Sequence, residues 1–393
     1  MHPNFPIERE RKRAALLAAV ESIRETVMAH ADEAEARGTL PPAIVDALVS
    51  TGLLALKLPT VLGGAEADPE TQFDVIEALS AIEPSTGWCL MIGGTGIGLP
   101  GAFLHQDAIA EIFAGSRIPT AAISAMPNGL AVPVAGGYRL TGRWSFASGV
   151  RHAQWMTVGA RVQRATEGPP ELRLLVVPAK SLTIHDNWHV AGLKGTGSCD
   201  VSLENCMVPE AFTWDRLNTP PRRGGALYRL GHPGFVANEH AAFALGVGRG
   251  ALDNVVQFAK SKRRSFAPSP TALEARPAFQ RAVGLGDLRL RAARGLVLKI
   301  YAEAWEFASA GEIPPPRVQA EMRSVTAFAT EVAAEVTTEA FRFAGGEAAF
   351  SSHRLQRYWR DINVGAQHLM VSTIAYENHG QFALGIPGAD PLR

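Results

Sequence analysis

The chain has 393 residues, 47% of them hydrophobic and 19% charged, which supplies a large core and excludes a disordered chain or a disulfide-stapled miniprotein. Its 38 Lys and Arg balance 38 Asp and Glu, so no net field gathers phosphate backbones or anionic lipid, and neither nucleic acid nor a membrane is expected as a partner. Three cysteines, Cys89, Cys199 and Cys206, lack CxxC spacing and fit a reducing cytoplasm rather than a disulfide framework or a thiolate metal cage.

Met1 to Arg13 is charged and leads into an amphipathic pattern, so no secretory signal is expected. Helical spacing then defines an N-terminal helical domain over residues 1–118. Leu16, Val20, Ile23 and Val27 form one stripe; Ile44, Ala47 and Leu48 form a second, after Pro41-Pro42 and before Gly52. Phe73, Ile76, Leu79 and Ile82 form a third, opened by Asp68-Pro69. Pro84 to Leu104 carries no charge and is nominally long enough to span a bilayer. Its six glycines and Pro100 would break a helix in lipid, so it reads as buried core near a functional pocket. Within it, Gly96-Ile97-Gly98-Leu99-Pro100-Gly101 has the form of a dinucleotide fingerprint, but no strand precedes it. Packing or a helix break is the better reading.

From 119 to 218 the period changes to two and predicts a central β-barrel or sandwich. Leu130–Val134 and Tyr138–Thr141 flank a hairpin signal at Ala135-Gly136-Gly137, and strands are expected at Trp155–Val162, Leu172–Val177, Leu182–Val190 and Val201–Val208. Residues 219–233, with Pro220, Pro221, Gly224 and Gly225, read as a linker. Helical spacing returns over 234–393, broken at Ser265–Pro270 and Gly311–Pro316, and predicts four or five helices in an antiparallel bundle. The class is α+β and multidomain, without the strand-helix alternation of a doubly wound nucleotide fold.

His185 and His189, four apart on an expected strand, have no third ligand nearby and read as structural; no metal site is expected. No GxSxG elbow occurs, so a serine hydrolase has no anchor. Three segments carry chemistry. In Trp144-Ser145-Phe146-Ala147-Ser148, strand alternation would put Trp144, Phe146 and Ser148 on one face, either to stack a flat heteroaromatic ring beside a hydroxyl or as an ordinary core strand. In Gly195-Thr196-Gly197-Ser198, backbone N–H groups and hydroxyls either converge on a phosphate or make a plain turn. In Arg360-Asp361 through His368, residues four apart share a helix face, so His368 either meets a phenol as an acid-base group or is structural.

Taken in sequence, GGYRLTGRWSFASG, GLKGTGSCDVSLENCMVPE and the Arg-Asp segment resemble the acyl-CoA dehydrogenase superfamily across the chain, and within it the oxygenase components of two-component flavin-dependent monooxygenases. The resemblance implies that Trp144, Phe146, Ala147 and Ser148 line a flavin ring, with Ser148 near N5, and that Thr196, Gly197 and Ser198 lie near its ribityl and phosphate groups. Arg264 and the Gly345-Gly346 pair resemble positions that reach flavin across a subunit contact, implying a homotetramer. His368 resembles the histidine of the monooxygenase branch, catalytic and substrate-binding, with Trp88 also at the substrate. The implied reaction takes reduced FMN or FAD from a separate NAD(P)H:flavin reductase and uses O2, through a C4a-hydroperoxyflavin, to hydroxylate a small aromatic or heteroaromatic substrate in the cytoplasm.

Where dehydrogenases of that family place a Tyr-Glu-Gly run after the Arg-Asp pair, this chain has Leu369-Met370-Val371, so the base for acyl-CoA oxidation is absent. Ser85-Thr86-Gly87-Trp88 is followed by no histidine until His105, which departs from phenol-hydroxylating relatives and leaves indoles open as substrates. A flavin dehydrogenase or oxidase with tightly bound FAD, and a noncatalytic flavin-binding protein, are the alternatives.

Overall fold

A computed structural model describes residues 5–163, 171–264 and 271–392. They divide into two compact units, one of residues 1–67, 88–190 and 194–228, the other of residues 68–87, 191–193 and 229–393. The helices and the β segment that the sequence separates at residue 118 thus fall largely in one unit, while the third N-terminal stripe falls in the other.

The first unit begins with α1 (Arg9–Ser22), α2 (Arg24–Ala29), α3 (Ala31–Arg37) and α4 (Pro42–Ser50). The expected stripe of Leu16, Val20, Ile23 and Val27 is buried, although the helix breaks at Ile23 and again at His30. Pro42 opens α4 at its first position, where its missing N–H costs nothing, and Gly52 follows at a φ of 76°.

Asp68 caps α5 (Pro69–Ile82) by accepting from the Thr71 N–H at 3.2 Å, as its position before Pro69 predicts. α5 is a core helix of the second unit: Asn238 reaches the Pro69 carbonyl at 2.7 Å, and Arg294 binds Asp74 and Glu77. The charge-free stretch is α6 (Pro84–Phe103), and α7 (Gln106–Ile112) follows. The helix runs through Pro100 without stopping. Its GxGxxG glycines are packing positions: a Cβ on Gly96 would lie 3.1 Å from the Ala122 carbonyl carbon, and one on Gly101 2.6 Å from Leu58. Among the described residues no helix is long and apolar enough to cross a membrane.

The β segment forms one mixed seven-stranded sheet in the order β5-β6-β2-β1-β3-β4-β7, with β1 and β3 parallel and the other pairs antiparallel. The strands are β1 (Ala121–Val134), β2 (Gly137–Ala147), β3 (Trp155–Val162), β4 (Leu172–Pro178), β5 (Thr183–His185), β6 (Cys199–Pro209) and β7 (Thr213–Asp215). The hairpin closes at Val134 and Gly137 as expected. The expected strand over 182–190 shrinks to β5, which takes His189 off the strand; His185 bonds Ser202 at 2.8 Å.

In the second unit α8 (Gly234–Ser261), α9 (Pro277–Ser309) and α10 (Pro316–Ala344) are the long members, with the short strands β8 (Arg263–Arg264) and β9 (Thr271–Ala272) between the first two. α11 (Arg354–Gly365) and α12 (Ile374–Ala383) complete it. Gly248 faces Leu290 and Gly286 faces Leu252, so α8 and α9 run antiparallel; Phe279 meets Phe343 and Arg317 meets Glu303, so α9 and α10 do as well.

Candidate functional site

In the first unit the end of β2, the turn Lys194–Thr196 and α6 bring four polar side chains into one hydrogen-bonded run. The Trp88 Nε1–H donates to Ser148 Oγ at 3.0 Å; Ser148 and Ser198 hydroxyls lie 2.7 Å apart, as do those of Ser198 and Thr196. All four residues are buried. The turn is held in place by a Lys194–Glu35 ion pair at 3.5 Å and by the Gly149 N–H, which donates to the Thr196 carbonyl at 2.8 Å. Gly197 sits at a φ of 53°, and a Cβ there would come within 2.7 Å of the Gly38 carbonyl, so the loop closes on α3 only with glycine.

An indole N–H can only donate, so Ser148 accepts from Trp88. If the run is then directed Ser148 to Ser198 to Thr196, one lone pair remains on Ser148 for a further N–H donor. Ser148 thus keeps one acceptor position beyond the run, with the Ser198 and Thr196 hydroxyls behind it.

The expected common face of Trp144, Phe146 and Ser148 is corrected. Trp144 is fully buried among the sheet residues and donates to the Gly159 carbonyl at 2.7 Å, whereas Phe146 is 69% exposed. The β2–β6 register shifts between Trp144 and Ala147, and Phe146 takes a φ of 61° there. A bulge breaks the two-residue alternation and turns the two rings apart. Trp144 is therefore a core residue, Ala147 is buried, and Phe146 faces outward with its ring edge on Trp188. His152, which the sequence reading did not single out, follows two turns of backbone later. Burial pulls its pKa down to about 4, and its Nδ1 has no hydrogen-bond partner among the described residues.

In the second unit the Arg-Asp pair is engaged in structure. Arg360 donates to the Ala191 carbonyl, and Asp361 accepts from the Leu193 N–H at 2.6 Å. His368 does not continue their helix face: α11 ends at Gly365, and His368 instead caps the turn Leu369–Val371, its Nδ1 accepting from the Met370 N–H at 3.2 Å. Because an amide N–H donates, Nδ1 is the unprotonated nitrogen and the neutral ring carries its hydrogen on Nε2. Burial lowers the His368 pKa to about 4, so the ring is neutral near pH 7 and presents a donor. Its face lies on His240 of α8, ring centres 4.1 Å apart and planes at 27°. His240 and Glu239 are both buried, and helical spacing alone marks them only as core positions.

Gly345 and Gly346 begin the turn after α10; Gly346 has open space where a Cβ would stand. Arg264 ends β8, and its side chain lies outside the described residues. Among the described residues, no group of three or more His, Cys, Asp or Glu is arranged to hold a metal.

Residues 9–130 match the acyl-CoA dehydrogenase N-terminal domain and residues 239–373 its C-terminal domain. A pigment production hydroxylase of a Rhodococcus species is 31% identical over 366 residues, covering 91% of this chain and 93% of that protein. An indole-3-acetate monooxygenase of Pseudomonas putida is 31% identical over 348 residues, covering 88% of each. The chain belongs to the flavin-dependent monooxygenase branch of the acyl-CoA dehydrogenase family. XiaF of a Streptomyces species, solved with FADH2 and glycerol, superposes with a TM-score of 0.86 at 29% identity over 97% of both chains. As a member of this family the chain has its N-terminal helices, central mixed sheet and C-terminal helical domain. The turn Leu369–Val371 carries no carboxylate, and Glu377 is exposed on α12.

Proposed function

We propose that the protein is the oxygenase component of a two-component monooxygenase, taking reduced FMN or FAD from a separate NAD(P)H:flavin reductase and hydroxylating a small aromatic or heteroaromatic substrate of phenolic or indole type. The observation that carries this reading is the Trp88–Ser148–Ser198–Thr196 run, in a chain that lacks the dehydrogenase carboxylate. Reduced flavin and O2 together supply the electrons and the oxygen atom.

Ser148 would hold the ring N–H with its remaining lone pair, and Trp88 fixes the Ser148 rotamer by donating to it. Thr196 and Ser198 would lie along the flavin's polar chain, and the exposed Phe146 would cover the ring. With Nδ1 accepting from the Met370 N–H and its hydrogen on Nε2, His368 would donate to the substrate's oxygen or nitrogen rather than abstract a proton at Nδ1. Indole-3-acetate, acted on by the Pseudomonas putida relative, is a natural first substrate to try.

Ser148→Ala tests the reading. Peroxide released per flavin consumed should rise several-fold while hydroxylated product falls, and His368→Ala should lower product without that rise. Unchanged coupling in both variants would remove these roles.

A homotetramer, with Arg264 and Gly345-Gly346 reaching flavin bound to a neighbouring copy, is supported by the exposed Leu285, Leu288 and Leu296 on α9. Light scattering tests it: a fully active monomer would exclude it. Three free cysteines suit the cytoplasm, which cell fractionation would check.

A further inference from the structure

Arg323, on α10, is a buried cation that the mechanism above does not use. It is 5% exposed, its Nε has no hydrogen-bond partner, and no carboxylate lies within ion-pair distance among the described residues. Among the described residues, it donates from an Nη to the Leu369 carbonyl at 3.3 Å. A guanidinium does not shed its proton at ordinary pH, so burying it without an anion costs free energy that a core residue of similar size would not.

The place of this group matters. Leu369 directly follows His368, whose ring stacks on His240. One turn along α10, Thr326 bonds the Ala237 carbonyl at 3.2 Å, one turn before His240 on α8. Arg323 and the histidine pair therefore belong to one neighbourhood of the second unit. Leu369 itself is 59% exposed, so the turn whose carbonyl Arg323 holds reaches solvent.

We propose that Arg323 binds the carboxylate of the aromatic substrate, beside His368, so that the enzyme selects aryl- or indolyl-alkanoic acids over neutral aromatic rings. The inference rests on the oxygenase reading above and names the substrate class of that site. A carboxylate matches the planar fork of the guanidinium with two parallel N–H bonds, and it supplies the missing counter-charge. The carbonyl of Leu369 is a weak stand-in, since it meets one nitrogen and leaves Nε unmet.

Calorimetric titration of the full-length protein with indole-3-acetate, its methyl ester and indole reads the charge directly. The acid should bind at least tenfold more tightly than the ester or indole; Arg323→Gln should abolish that difference, and Arg323→Lys should keep part of it. Equal binding of acid and ester by the wild type, no detectable binding of the acid, or an equal loss for all three probes in Arg323→Gln would overturn the proposal. Should Arg323→Gln fail to fold, the wild-type comparison of acid and ester still decides. Turnover with reduced flavin and O2 separates the two readings. Acid-selective binding without hydroxylated product would sink the oxygenase reading alone, whereas hydroxylation of neutral rings with no preference for acids would sink this one alone.

Discussion

Phe146 combines two features that a purely structural residue would not keep together, a φ of 61° and 69% exposure. The left-handed region costs a non-glycine residue about 1–2 kcal/mol, and an outward ring recovers little of it by burial. Phe146→Gly should therefore hold or raise the thermal unfolding midpoint while weakening reduced-flavin binding roughly two- to tenfold, the range expected for losing one aromatic contact. A variant that loses stability and keeps its flavin affinity would assign Phe146 to the fold instead. Thr196 and Ser198 stood out in the sequence because hydroxyls interleaved with glycine are a chemical pattern, and Ser148 because it follows two aromatic residues on an expected strand. Trp144 was misplaced because alternation is a property of unbroken strands, and the bulge before Ala147 is set by pairing with β6.

At the scale of elements, the Arg-Asp pair shows how two residues on α11 fix a distant turn. Arg360 and Asp361 hold residues 191–193, and a Cβ on Gly192 would stand 2.3 Å from the Arg360 carbonyl oxygen. Backbone cannot give way as a side chain can, so Gly192→Ala should lower stability by about 1–3 kcal/mol in chemical denaturation. An unchanged midpoint would mean that the segment does not pack there in solution. The same element explains the correction at His368. Counting in fours from Arg360 predicts a continuous helix face, but the helix stops at Gly365 and His368 becomes a cap. Helix ends are decided by which backbone groups find partners in three dimensions, which spacing does not encode.

For the whole molecule, the buried histidines set a limit on acid stability. His152 and His368 both titrate near 4 because burial disfavours the imidazolium. Their ordinary value is about 6.5, so between these limits the unfolded chain binds the protons and the folded chain does not. Stability should be fully present above about pH 6.5 and fall as the pH approaches 4, by at most roughly 3 kcal/mol for each histidine. Denaturation midpoints at pH 7, 5.5 and 4.5 would measure this, and His152→Gln or His368→Gln should flatten the slope. A slope unchanged in both variants would place the acid sensitivity elsewhere.

Sequence alone determined the order helix, β, helix, the starts of α4 and α5, the hairpin at Val134–Gly137, and the hydroxyl-rich turn, because periodicity, caps and turn residues act over a few neighbours. That no carboxylate stands at 369–371 is likewise plain from the sequence. Tertiary structure decided the rest: that Trp88 donates to Ser148, that His240 stacks on His368, and that Arg323 is buried beside Leu369 with no carboxylate at ion-pair distance among the described residues. These residues stand 60, 128 and 46 positions apart along the chain. Their chemistry depends on packing between elements, and no local pattern records which buried side chain will find a partner.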